Sequence, residues 1–416
     1  MMDYPVETAA SREDDDPMRI RVAWVFVSLF AAAATAYLLL PLRDTYREWN
    51  DFRWIYVSGK TWLAGASPYD FPRWAEQWIA TPRSFFSEHP SQPFLYPPHW
   101  AVLAIPAALL PYGVAIRVWD VISVIAVIGT MGFVAQMVAP HLPRHRGRLL
   151  LVFLIGVAAI HGSLRWSIWE SQLAVVPMFG VVGAFAAWRD RDTARLAFFA
   201  FLAALKPQVG ALPLLFLLFN GGHRGVLIAG AAATAVSIVS LAPFGLANVP
   251  SDLADCYARH MNAGFNQKHT FSNLSAVLAT IRGGERFFWV APALAGFWLV
   301  GVSLWRRAKS TSPAVARDPL VMLMLVGSTI PALLPLHGYD LVVITPLVLA
   351  SVLVRPRVLA IAFVLLVQLS GRVDFLERRI GIHPLLPFLT VALMLLCVHA
   401  VATHTRSVRD REAAAA

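Results

Sequence analysis

The 416-residue chain is 57% apolar and 14% charged, its 35 basic and 25 acidic residues leaving a net charge of +10. Soluble globular chains carry about 25% charged residues, and the apolar residues here come in runs too long for the polar surface to cover. The composition excludes a disordered, collagen-like or disulfide-stapled secreted protein and predicts an all-α, polytopic membrane protein. Two cysteines, Cys256 and Cys397, make no framework, and no zinc-ligand spacing occurs. In a membrane protein the placement of basic residues matters more than their sum, so the charge does not point to nucleic acid.

Residues 1–21 read as a disordered cytoplasmic tail, and the acidic triplet Asp14–Asp16 within it reads as solvated rather than metal-binding. Val22–Leu40 follows, 19 residues without a charge, long enough to cross a hydrocarbon core. It is too long for a signal-peptide h-region and no cleavage site follows, so it reads as a retained first helix. Further apolar runs lie near 114–138, 149–164, 172–188, 195–206, 208–220, 225–244, 286–305, 319–336, 341–354, 357–371 and 385–402. Several are short and carry proline, which predicts tilted, bent or bundle-buried helices. The stretch 195–220 is either a short hairpin or one crossing; Pro207 and the basic residues at both ends favour the hairpin. Residues 22–402 thus form one integral-membrane domain, and 403–416 a cytoplasmic tail.

Charge sets the orientation. With the N-terminus in the cytoplasm and about 12 crossings, the inner segments hold 19 of the 35 basic residues, from Arg12 through Arg189, Arg224 and Arg306 to Arg411. The outer face then carries two large segments, 41–113 and 245–285. Within the first, the proline-bounded stretch 97–113 reads as a helix lying on or dipping into the interface. Trp49, Trp54, Tyr56, Trp62, Tyr69, Trp74, Trp78, Tyr96 and Trp100 crowd the same segment. An aromatic belt at the membrane surface accounts for most of them, while a minority, Tyr56 among them, are candidates to stack on a substrate.

The candidate chemistry lies on that outer side. Asp51 stands about ten residues beyond the first helix, where a carboxylate accepts a proton from a sugar or lipid hydroxyl; a helix N-cap or a solvated loop acid is the alternative. Lys206, in LKPQVGALP, sits between apolar helices, where a lysine is costly and usually functional; it either holds a phosphate as a point charge or snorkels to the interface. PLHGYDL, 335–341, offers His337, Tyr339 and Asp340 near the membrane surface, or a solvated turn. Gln172, in ESQLAVVP, enters a span and needs a partner, as structural glue or as a ligand. No Walker A sequence and no GxGxxG in a strand–helix context occurs, which argues against ATP-driven transport.

These blocks, DFRWIYVSGKTWLAGASPYD, FLYPPHWAVLAIPAALLP, SQLAVVP, LKPQVGALP and YDLVVITP, occur in an order that resembles glycosyltransferase family 87. That family belongs to the GT-C superfamily of integral-membrane glycosyltransferases and includes bacterial polyprenol-phosphate-mannose-dependent mannosyltransferases. Two positions depart from its pattern: SQLA stands where GQ-x-N is common, and YDL where its mannosyltransferases carry histidines.

The resemblance implies a GT-C helix bundle with interfacial helices in the first outer loop, in a bacterial inner membrane, with its site facing outward. It implies transfer of a hexose, most simply mannose, from a polyprenyl-phosphate donor to a lipid-linked or glycan acceptor, with membrane lipids as surroundings. Asp51 corresponds to the family's base and Lys206 to the cation at the leaving phosphate, with His337 or Arg165 assisting. Asp340, Tyr339, Gln172 and Tyr56 are further substrate contacts. No cofactor or metal is expected, Asp252 and Asp255 reading as a helix cap or a solvated face. A secondary transporter or flippase would instead show internal repeats and ionisable groups at mid-membrane, and a non-catalytic envelope subunit stays open as a third reading.

Overall fold

Backbone amides surrounded by lipid must bond within their own segment, and every regular element among the described residues is helical. The computed structural model describes residues 17–43, 51–81, 93–142, 146–262, 290–308, 317–334, 336–380 and 385–415, with isolated positions at 274, 277–278 and 315. Residues 1–16 of the expected tail therefore lie outside the described residues.

Among the described residues, four helices are long and apolar enough to cross a membrane: Ile20–Leu39, Tyr112–His141, His223–Phe244 and Leu385–Ala414. Gly147–Ala159 and Gly162–Trp169, bent by 55°, make a fifth when taken as one broken span. The other apolar helices, such as Thr193–Ala204 and Pro207–Phe219, are shorter. Their 12 and 13 residues rise about 18–20 Å, against a hydrocarbon core of about 30 Å. By length and apolarity, four or five spans among the described residues are able to cross.

The first helix, α1 (Pro17–Leu39), turns Val25, Phe26 and Leu29 outward, as a lipid-facing helix does. Three short helices follow: α2 (Phe52–Leu63), α3 (Phe71–Ala80) and α4 (Ala101–Ala108). At eight residues, about 12 Å, α4 is too short to cross. The Asp70 carboxylate caps α3 by accepting from Arg73 N. Trp74 Nε1 donates to Ser58 Oγ at 3.1 Å, and Arg53 Nη2 donates to the Trp78 and Thr81 carbonyls, so α3 is clamped on α2.

One expectation is corrected here. Trp62, Tyr69, Trp74, Trp78 and Trp100 are buried, so these rings are not a surface belt. They join the same continuous core as the long helices: Trp74 packs on Trp78 at 5.2 Å, Tyr69 on Phe94 at 5.5 Å and Trp100 on Trp119 at 6.0 Å.

The long α5 (Tyr112–Val138) leads to α6 (Arg146–Ala159) and α7 (Gly162–Trp169). The centre of the bundle is α8 (Val175–Asp190), buried from Val175 to Met178 and from Gly180 to Ala187, with α9 (Thr193–Ala204) and α10 (Pro207–Phe219) against it. Arg191, at φ 57°, ends α8, and Asp192 starts α9 by accepting from Arg195 N. The stretch 195–220 is a hairpin. Lys206 before Pro207 takes an extended conformation, φ −128°, ψ 93°, as a pre-proline residue prefers. The chain then folds back so closely that a Cβ on Gly210 would lie 2.2 Å from the Ala203 carbonyl oxygen.

Next come α11 (His223–Leu241) and α12 (Val249–Asn262). The helix α12 meets the segment between α2 and α3 through Cys256, whose Sγ donates to the Tyr69 carbonyl at 3.3 Å. Asp255, on α12, pairs with Arg259 at 2.8 Å in an exposed i,i+4 bridge. The helix Val290–Ala308, the segments Pro319–Leu333 and Asp340–Leu353, and the helices Arg357–Ile380 and Leu385–Ala415 complete the described elements. The last of these continues as helix through residues 403–415 of the expected tail.

Candidate active site

Asp51 occupies the N-cap position of α2, yet its carboxylate caps nothing. Asp70, Asp192 and Asp318 all cap their helices through side-chain oxygens. Asp51 instead hydrogen-bonds the side chain of Gln172. Its backbone N donates to the Glu170 carbonyl at 3.0 Å, which anchors the start of α2 to the turn between α7 and α8.

That turn is held from several sides. Ser171 sits in the left-handed region at φ 49°, a conformation uncommon for a residue with a side chain. Its Oγ donates to Asp120 Oδ1 at 3.2 Å, and its carbonyl accepts from Trp119 Nε1 at 3.1 Å. Asp120 in turn faces Arg117 at 3.4 Å. The turn aims Glu170 and Gln172 toward each other, with Gln172 Nε2 donating to Glu170 Oε2 at 2.9 Å. Gln172 Oε1 is buried with no hydrogen-bond partner among the described residues.

The second half of the site is an ion pair. Lys206 Nζ lies 2.5 Å from Asp340 Oδ1, and both side chains are buried. Lys206 is fixed at the tip of the α9–α10 hairpin by the YPPHW block, where Trp100 Nε1 donates to the Leu205 carbonyl at 2.7 Å. His99 reaches the Ala204 backbone and packs its ring on Phe201 at 5.5 Å. Asp340 is fixed by a turn in which its N donates to the His337 carbonyl at 2.9 Å.

The two halves form one electrostatic unit. Burial, and then the negative charge of Glu170, push the Asp51 carboxyl up to about 7; Lys206 pulls it down and Asp340 pushes it up. Burial and the charges of Asp51 and Asp340 hold the Tyr96 phenol well above its usual range, so at neutral pH Tyr96 is a hydrogen-bond donor beside two carboxylates. The arrangement combines a carboxylate whose pKa suits proton acceptance near neutrality with a buried ammonium able to meet an anion.

Asp51, Gln172, Lys206 and Asp340 are thus brought together. His337 flanks them through the Asp340 turn. The Tyr339 side chain lies outside the described residues. Tyr56 and Arg165 are engaged elsewhere: Tyr56 donates its hydroxyl to the Leu110 carbonyl at 2.9 Å, and Arg165 stacks over Tyr37 at 4.3 Å.

Sequence reasoning missed Glu170, Tyr96 and Asp120. Glu170 heads the same motif as Gln172, and Asp120 is a carboxylate inside an apolar run, itself a signal of function or pairing. Tyr96 was visible only as one ring among many.

The described site of this all-helical protein thus sets the carboxyl of Asp51 in one charged cluster with the Lys206–Asp340 pair. The family model for glycosyltransferase family 87 matches residues 94–335; this is more than half of the chain, and the protein belongs to that family of glycosyltransferases. Glu170, Gln172 and Lys206 lie inside the matched stretch, and Asp51 and Asp340 outside it. No curated protein and no solved structure matches the chain.

Proposed function

We propose that the protein transfers a hexose, most simply mannose, from a polyprenyl-phosphate donor to a lipid-linked or envelope acceptor. The acceptor hydroxyl attacks the anomeric carbon as the bond from that carbon to the phosphate oxygen breaks, with inversion. Asp51 takes the hydroxyl proton, and Lys206 meets the charge that grows on the departing phosphate. Asp340 orients Lys206 before the donor arrives and sugar hydroxyls afterwards. Gln172 holds the base, and its buried Oε1 is placed to accept from a second substrate hydroxyl. The observation that carries this reading is the carboxylate of Asp51, turned away from its own helix and set in the same charged cluster as Lys206. A transporter would call for ionisable groups along a two-ended path rather than one cluster under the first outer segment.

The reading includes a bundle of about 12 crossings in a bacterial inner membrane, with the cluster facing outward and the cap of α2, α3, α4 and α12 over it. Reporter fusions after Arg148, Arg195 and Arg307 are expected to report cytoplasm, and one near Asp70 the outer side. A cytoplasmic signal at Asp70 overturns the mechanism, because the base would then face the wrong compartment.

The donor is tested directly. Purified full-length protein is expected to turn over a radiolabelled polyprenyl-phosphate hexose and to leave nucleotide sugars untouched, since the sequence carries no nucleotide-binding motif. Turnover of a nucleotide sugar in the absence of any lipid carrier overturns the donor assignment.

A further inference from the structure

At the opposite end of α8 and α9 from Asp51 lies a second polar site, a cavity of about 430 Å³ open to the surface. Arg189, Arg191, Arg224, Arg306 and Arg317 line it, arginines that the charge count assigns to the inner face. Its carboxylates are committed: Asp192 caps α9, and the nearby Asp190 pairs with Arg189 at 2.8 Å and Arg195 at 3.3 Å. Arg306 faces like charges on Arg307 and Arg317. Cations gathered this way repel one another and favour an anion between them.

The floor of the cavity is tied together by hydrogen bonds and a ring contact. Arg306 lies over the Trp188 ring at 5.1 Å and donates to Asn220 Oδ1 at 3.2 Å. Asn220 is buried and donates to Ser303 Oγ at 2.9 Å, while its carbonyl accepts from Trp188 Nε1 at 3.0 Å. The start of α11 also opens into the cavity, where Gly222 is the N-cap and supplies no side chain to satisfy the first amides. Such an end favours negative charge. It is drawn in close because Gly225 has no Cβ; one there would lie 2.6 Å from Leu196 Cγ.

A further observation bears on the kind of anion. Helices that line the cavity carry large apolar side chains turned outward just beyond it: Phe219 at the end of α10, Leu227 in α11 and Leu304 in Val290–Ala308 are 57%, 60% and 59% exposed. A charged cup at the ends of apolar helices, bordered by an apolar wall, matches an amphiphile with an anionic head. Basic pockets between membrane helices on the inner side are suited to such headgroups. We infer that this cavity binds the phosphate-bearing headgroup of an anionic phospholipid of the inner leaflet, with the acyl chains lying along Phe219, Leu227 and Leu304. The site is separate from the transfer reaction, and its placement in the inner leaflet rests on the proposed orientation.

The test uses the full-length protein in neutral detergent, with retained lipid measured by native mass spectrometry. Wild-type protein is expected to retain phosphatidylglycerol and to lose phosphatidylcholine. Arg224→Gln and Arg317→Gln remove exposed side chains, so the fold should tolerate both, as a melting curve checks. Each is expected to weaken phosphatidylglycerol retention about fivefold, while Arg409→Gln, in the C-terminal helix, leaves it unchanged. Equal retention of the two lipids, or retention unaltered in both cavity variants, overturns the inference. Inorganic phosphate is the remaining arm: if it displaces phosphatidylglycerol at equal concentration, the cup holds free phosphate and the lipid assignment is wrong.

Discussion

Replacing Asp51 by asparagine is expected to slow transfer by about 10²–10⁴-fold, the usual worth of a general base, while donor affinity barely changes. The substitution keeps the shape and the contact to Gln172 but removes the proton acceptor. Because Asp51 is pushed up to about 7, the wild-type rate at limiting substrate should climb with pH through that value and then level off. The same shift makes a prediction about stability with the opposite sign from that of a salt-bridged carboxylate. Folding raises this pKa from 3.8 to about 7, so the folded state holds a proton that the unfolded state has released, and stability falls as pH rises across that interval. Asp51→Asn should therefore raise the melting temperature at pH 8 and leave it nearly unchanged at pH 3. A carboxylate kept for structure behaves otherwise, its loss lowering stability at pH 8. Near wild-type transfer by well-folded Asp51→Asn removes the base assignment and leaves the family membership standing.

The Lys206–Asp340 pair calls for a different experiment, because both side chains are buried and either single substitution strands a charge. Removing one partner of a buried pair costs about 3–5 kcal/mol, whereas replacing both by apolar residues of similar volume is often neutral. Lys206→Met is thus expected to lower stability by roughly that amount, and adding Asp340→Leu to restore most of it. Donor binding should follow another rule. If Lys206 meets the donor phosphate, affinity falls in the single variant and stays low in the stabilised double variant, because no charge remains for the phosphate. Lys206→Arg should recover part of it. Melting curves and binding of a radiolabelled polyprenyl-phosphate hexose separate the two effects. A double variant that binds donor like wild type reduces Lys206 to a structural lysine.

Much of this architecture was legible in the residues. Composition alone demanded membrane helices, and Pro207 between two basic boundaries marked the α9–α10 hairpin. Lys206 stood out because a lysine between apolar helices is costly, Asp51 and Asp340 because they lie near the membrane surface, and Asp51 further by the family resemblance. What the chain could not reveal was pairing across long separations: nothing local to Lys206 points to a partner 134 residues later. Nor did the N-cap position of Asp51 disclose that its carboxylate turns toward Gln172, since a cap and a base share the same residue type and the same place before a helix. The aromatic residues misled for a related reason, because a tryptophan at an interface and one buried in the core look alike in sequence. Glu170 was hidden by its neighbour: the amide of Gln172 drew the argument, while the carboxylate that positions it sat two residues earlier.

The brevity of α8 and α9 has a consequence for what the enzyme can use as an acceptor. Their 16 and 12 residues span about 24 and 18 Å, so a bundle whose arginine end rests at one set of headgroups holds its lysine tip several ångströms beneath the other. In the proposed orientation the glycosyl phosphate is drawn down under a lid of tryptophans, into a place where water is scarce. An activated sugar held there meets an alcohol delivered by its own hydrocarbon tail far more often than it meets solvent. Depth thus guards against wasteful hydrolysis, a protection that a water-filled cleft would have to obtain from a moving flap.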